Sequence, residues 1–144
     1  VLYDRMHTRR IADYGGVANV MPWFATFAML FFMANAGLPG TSGFVGEFMV
    51  VLASFQKHPV VALLAATTLI TAAAYTLWLY RRVFFGEVAN AHVAELKAID
   101  AREVRVLGVF AAGTLLFGLW PKPLTDLMEP SIAHLATQIA TSKL

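Results

Sequence analysis

No cysteine occurs anywhere in the chain, which excludes disulfides, thiolate chemistry and iron–sulfur ligation within it. Charge is scarce too: only 14% of the 144 residues are Asp, Glu, Lys or Arg, while 58% are hydrophobic. Soluble globular domains typically carry about 25% charged and about 45–50% apolar residues. The net charge of +2 and the lack of a basic patch interleaved with aromatics exclude nucleic acid as a partner. The four histidines, His7, His58, His92 and His134, are scattered without metal-ligand spacing. There is no phosphate-cradling glycine loop, nucleophile–base pair or nicotinamide fingerprint. No charged leader with a cleavage site marks a signal peptide. The chain opens at Val1-Leu2-Tyr3 without a Met, and the expectation is that the front of a longer protein precedes it.

What is present is a set of long uncharged runs. Residues 20–56 hold one charged side chain, Glu47, and residues 59–80 and 106–121 hold none. Runs of roughly 17–25 apolar residues match the thickness of bilayer hydrocarbon. The expected fold is therefore an all-α integral membrane protein with three transmembrane helices, the first discontinuous, and a C-terminal surface helix. Residues 1–19 read as a cytoplasmic loop with a Gly15-Gly16 turn, and Pro22 sits where a helix can begin. Residues 20–56 form the first span, broken at 37–43 into halves of about 22–36 and 42–55. The second span is 59–80, with Trp78 and Tyr80 in an interfacial aromatic belt. Residues 81–103 form a cytoplasmic linker, in which Asp100 and Glu103 have capping-box spacing, and the third span is 104–120. Pro121 and Pro123 close it, and residues 121–144 form a tail whose Ile132, Leu135 and Ile139 share one face, as in an interfacial helix.

Basic residues orient these spans. If the broken stretch crosses once, Arg5, Arg9, Arg10, Arg81, Arg82, Lys97, Arg102 and Arg105 share one side, leaving Lys57, Lys122 and Lys143 on the other. The positive-inside tendency places the richer side in the cytoplasm. A re-entrant hairpin would level the count to six against five, so a single crossing is the better reading.

The break and Glu47 carry the chemistry. Within Gly37-Leu38-Pro39-Gly40, proline removes a helical hydrogen bond and glycine loosens what remains. Backbone that leaves helical pairing inside lipid needs protein or water as a partner, so a polar, hydrated interior is expected there. The N-terminus of the second half-helix carries partial positive charge. Glu47 lies about one turn inside it and roughly 13 Å below the far interface. Desolvation favours the neutral form of a carboxyl, while water or a neighbouring cation favours the ionised form, so such a group can take and release a proton. Intramembrane acids are functional candidates by default, and the other reading is a structural carboxylate paired with a cation on a neighbouring helix. Thr68, Thr71, Tyr75 and Arg82 share one face of the second span. They read either as a polar proton pathway or as hydroxyls bonded back to their own helix. Gly37, Gly40, Gly43 and Gly46 read as hinges or as close packing points. Asn35 is placed to bond freed backbone, and His58 reads as a helix-start residue rather than a relay.

Leu2-Tyr3-Asp4-Arg5-Met6-His7-Thr8-Arg9, then Ala36-Gly37-Leu38-Pro39-Gly40-Thr41-Ser42-Gly43-Phe44-Val45-Gly46-Glu47-Phe48, then Tyr80-Arg81-Arg82-Val83-Phe84-Phe85-Gly86 resemble the antiporter-like membrane subunits of respiratory complex I. The resemblance covers essentially the whole chain. Glu47, where L- and N-type members typically carry lysine, points to the M-type branch, the counterpart of mitochondrial NADH dehydrogenase subunit 4. It implies the last three of fourteen transmembrane helices, with the broken one as helix twelve and Glu47 as the residue from which protons leave to the periplasm. It further implies a bacterial inner-membrane location with a periplasmic C-terminus, L- and N-type partner subunits, and the surrounding lipid bilayer. NADH, FMN, iron–sulfur clusters and ubiquinone or another quinone would belong to partner subunits, with no cofactor and no complete active site in this chain. A subunit of a multisubunit sodium/proton antiporter or of a membrane-bound hydrogenase shares the fold and is the alternative. A purely structural membrane anchor is the third reading.

Overall fold

The computed structural model describes residues 1–142, and every regular element among them is helical. Short helices α1 (Leu2–Met6) and α2 (Val17–Val20) flank a 3-10 turn at Ile11–Asp13. Then come α3 (Pro22–Asn35), α4 (Ser42–Lys57), α5 (Pro59–Phe84), the short α6 (Ala91–Ala94), α7 (Ala101–Leu119) and α8 (Lys122–Ser142). Lys143, counted above among the basic residues of the far side, and the end of the tail lie outside the described residues.

Local chemistry explains most of the boundaries. Pro22 and Pro59 open α3 and α5 at first-turn positions, where the missing N–H has no helical partner to lose. Asp100 and Glu103 close a reciprocal capping box on α7, at 2.7 and 3.0 Å. Helix α7 therefore starts at Ala101, before the expected 104. Helix α5 runs four residues past Tyr80 because Val83 and Phe84 are buried against the start of α3. Helix α8 begins at Lys122 rather than after Ser131. Pro123 sits in its first turn, and Pro130 inside costs the helix one hydrogen bond. It leaves α7 at a bend of 67°.

Among the described residues, α5 alone has the length and apolarity to cross a bilayer, and α7 with α8 passes only as a bent pair. At about 1.5 Å per residue, α3 and α4 reach roughly 21 and 24 Å, each short of a hydrocarbon layer. Both pack against α5. The contacts of α3 and the break along α5 run in antiparallel order, and α4 joins α5 through His58. The Tyr80 hydroxyl donates to the Ala25 carbonyl at 2.9 Å, Asn35 meets Tyr75 at 3.4 Å, and Leu69 lies beside Gly37.

The buried core sits at the end where α3 begins and α5 ends. The Tyr80 and Phe84 rings stack at 4.4 Å, and Phe32 meets Tyr80 edge-on at 5.7 Å. Such aromatic pairs contribute about 0.5–1.5 kcal/mol each beyond area burial. The leader and linker seal this end. The Gly16 backbone amide donates to the Phe85 carbonyl, the Asn19 side chain to the Gly86 carbonyl, and the Asn90 side chain to the Asp13 carbonyl. Arg5 clamps Glu103 with two bonds of 2.8 and 2.7 Å across 98 residues of sequence. Its guanidinium, with help from the Asp100 amide, holds the Glu103 carboxyl down at about 2.

Candidate functional site: the helix break and Glu47

Helix α3 stops because Gly37 takes φ +78°. The Leu38 amide then reaches back to the Met33 carbonyl at 3.0 Å, the six-to-one bond of a Schellman cap. Thr41, only 1% exposed, folds the other edge inward. Its amide and its hydroxyl both donate to the Leu38 carbonyl, at 3.1 and 2.7 Å. The break thus pairs several of its own backbone groups, protein being one of the two partners, protein or water, that the sequence left open. Asn35 is placed differently from expectation: its amide donates to the Tyr75 hydroxyl rather than to a freed carbonyl.

Three glycines let other groups come close. A Cβ on Gly43 would collide with the Ala34 carbonyl, and one on Gly118 of α7 with the Gly40 carbonyl and Thr41 backbone. Helix α7 therefore packs directly on the break. A Cβ on Gly37 would lie 2.6 Å from Glu47 Oε2 and 3.3 Å from Leu69 Cδ2. Gly46 has nothing within 4 Å of a built Cβ, because it opens on the cavity rather than on a neighbouring helix.

Glu47 is half-buried on α4. Its Oε2 is one of two buried side-chain oxygens without a hydrogen-bond partner among the described residues; the other is Thr76 Oγ1. An unpaired buried carboxylate oxygen is costly, and the N-terminal amides of α4 favour negative charge nearby. The carboxyl borders an open cavity of about 880 Å³ between α4 and α5. Asn35, Thr68, Thr71 and Tyr75 line the same cavity.

The predicted polar stripe reaches the cavity over part of its length. Thr68, Thr71 and Tyr75 face the cavity with Glu47, whereas Arg82 stacks over Trp78 at 4.9 Å. Thr68 donates its hydroxyl to the Ala65 carbonyl and Thr71 to the Thr67 carbonyl, so both offer lone pairs to the cavity. Tyr75, which accepts from Asn35, keeps its own proton to give. His58 joins α4 to α5, its amide bonded to Ser54 and its carbonyl to Ala62. No group of three or more His, Asp or Glu is placed to hold a metal among the described residues.

Sequence reasoning missed Gly118 and the Arg5–Glu103 clamp. Gly118 lies in an apolar run with nothing to mark its partner, and Arg5 is one of several leader arginines.

Residues 1–73 match the family described as NADH:quinone oxidoreductase/Mrp antiporter, TM. The chain is 53% identical over 135 residues, 94% of its length, to NADH-quinone oxidoreductase subunit M of Rhodobacter capsulatus. It is 40% identical over 134 residues, 93% of its length, to NADH-ubiquinone oxidoreductase chain 4 of Marchantia polymorpha. It spans 26% and 27% of those two proteins, about a quarter of each. Among solved structures, respiratory complex I from Thermus thermophilus with bound NADH contains a chain that it matches with a TM-score of 0.72 at 36% identity. The match covers 84% of this chain and 25% of that one.

Proposed function

The chain belongs to the NADH:quinone oxidoreductase/Mrp antiporter membrane family, and we propose that it forms part of a proton-translocating subunit of a respiratory NADH:quinone oxidoreductase. The observation that carries this reading is the Glu47 carboxyl, held at a helix break with one buried oxygen unpaired and a cavity beside it. A carboxyl in that setting changes protonation as water and charge in the cavity change. Asn35 and Tyr75 give it a polar neighbourhood, with Tyr75 able to pass on a proton and Thr68 and Thr71 offering acceptors. NADH oxidation and quinone reduction take place in other subunits. What this chain contributes is one station of a proton path, with no complete active site.

In this reading α3 and α4 are two halves of one crossing. The antiparallel order of the α3 contacts along α5, and the turn of α4 into α5 through His58 alone, support this. The bonds joining leader, linker and α7 start support a common side for their arginines. The positive-inside tendency then makes that side cytoplasmic, with Glu47 releasing protons outward to the periplasm of a bacterial inner membrane and the C-terminus on that outer side. L- and N-type membrane subunits are the partners this assigns.

The test replaces Glu47 in the full-length protein within the assembled complex. Glu47→Gln and Glu47→Ala are expected to lower NADH-driven proton pumping in membrane vesicles by about a hundredfold or more, the low end for removing a proton-transfer group. Undiminished pumping in a normally assembled complex would sink the role.

A further inference from the structure

Leu38, Pro39, Gly40 and Thr41 carry the chain from α3 to α4, and their hydrogen bonds are few. Pro39 has no amide to give, and the Gly40 amide gives none among the described residues. Leu38 is tied back to α3 through its amide and forward to Thr41 through its carbonyl. That carbonyl accepts from the Thr41 amide at 3.1 Å and from the Thr41 hydroxyl at 2.7 Å. Thr41 stands just before the first turn of α4, where a threonine ordinarily turns its oxygen to an amide of that turn. Here it makes no such cap. The hydroxyl spans the break instead. Thr41 is also buried, with the Gly118 backbone of α7 against its own.

Glu47 depends on what that bond holds. A side chain in the second turn of a helix leans back toward the helix start, and Glu47 Oε2 ends beside Gly37, on the cap of α3. The carboxyl is carried by α4, while the place it occupies belongs to α3. The offset between the two half-helices therefore sets where the carboxyl stands. We propose that Thr41 is a positioning residue for Glu47, its hydroxyl fixing that offset through the bond to Leu38. The inference rests on the reading of Glu47 as a proton station. Without the hydroxyl, the turn keeps one bond from Thr41, a backbone one of 3.1 Å. Gly40 beside it, at φ +91°, is a residue with little to restrain its backbone.

The experiment compares Thr41→Val with Thr41→Ser in the full-length protein within the assembled complex. Valine keeps the shape and loses the hydroxyl, whereas serine keeps the hydroxyl and loses a buried methyl. Both should lower thermal stability, one by a lost hydrogen bond and the other by a small void. Only Thr41→Val should lose NADH-driven pumping, on the order of tenfold, within the range for a misplacement of about 1 Å. Thr41→Ser should pump as the wild type does. Labelling of Glu47 by a hydrophobic carbodiimide, read by mass spectrometry, should rise severalfold in Thr41→Val as Oε2 loses its burial, and not in Thr41→Ser. Where Thr41→Val does not assemble, Thr41→Cys, with a weak donor of similar size, gives the same comparison. Pumping that falls equally in the valine and serine variants would overturn the positioning role. Labelling unchanged in Thr41→Val would overturn the placement of the carboxyl by Thr41, even where Glu47→Gln pumps normally and the proton-station reading has itself failed.

Discussion

Gly37→Ala separates what the helix break does for stability from what it does for Glu47. At φ +78° an alanine pays roughly 1–2 kcal/mol for left-handed backbone. Its Cβ would also stand 2.6 Å from Glu47 Oε2, so the carboxyl has to retreat by about 1 Å to reach van der Waals distance. The retreat costs little stability, because the atom displaced is the free end of a flexible side chain. On the proposed role of Glu47, its cost falls on proton transfer, where a displacement of about 1 Å can reduce rate by up to about a hundredfold. Gly40→Ala is the matched control. Gly40 has φ +91°, and its Cβ would meet only Leu119 Cδ2 at 3.7 Å, an ordinary contact. Both variants, in the full-length protein and complex, should lose similar thermal stability, while Gly37→Ala loses at least about tenfold more NADH-driven pumping. Adding Glu47→Asp to Gly37→Ala shortens the carboxylate away from the new methyl and should recover part of the loss. Equal pumping in the two alanine variants would refute the claim that Gly37 makes room for the carboxyl.

Gly118→Ala drives a methyl into the backbone of Gly40 and Thr41. It should destabilise the assembled protein by about 1–3 kcal/mol in thermal denaturation, whereas Gly108→Ala and Gly113→Ala, with open space around the added carbon, should not. Tyr75→Phe removes one of the two cavity hydroxyls, with Ser42, that donate to no partner among the described residues. Pumping should fall severalfold with assembly intact, and unchanged pumping would leave Tyr75 with a packing role. Arg5→Gln breaks the clamp on Glu103, whose carboxyl sits at about 2 against an ordinary 4.5. A group with a lowered native value stabilises the fold above its unfolded value and loses that contribution as pH falls toward the native one. With the Glu103 side chain 24% exposed, solvent screening leaves about 1–2 kcal/mol of it. The stability gap between wild type and Arg5→Gln should therefore be full at pH 7, shrink below about pH 4.5 and close near pH 2. A gap constant across that range would count against the ion pair.

Features that depend on neighbouring residues were legible in the linear chain. Pro22 and Pro59 open helices, Asp100 and Glu103 cap one, and Gly37 with Pro39 interrupts the apolar run, because each acts through backbone within one turn. The lone charge of residues 20–56 marked Glu47 for the same reason: a carboxylate among apolar neighbours is visible without coordinates. Where local cues faded the reading drifted. The end of α5 was set by burial of Val83 and Phe84, and the start of α8 by the turn after Trp120. Sequence periodicity put Arg82 on the face of the cavity threonines, and the extent of the cavity, which ends at Tyr75, left Arg82 two turns beyond it against Trp78.

By itself, then, the sequence determined the helical and membrane character, the place of the break and the family resemblance, all written in local composition and short-range hydrogen bonding. Tertiary structure alone decided that Gly37 faces the Glu47 carboxyl, that Gly118 presses on the break, and that Arg5 closes on Glu103. Those relations join residues up to 98 positions apart. They depend on how close one backbone can come to another, a distance no single segment encodes.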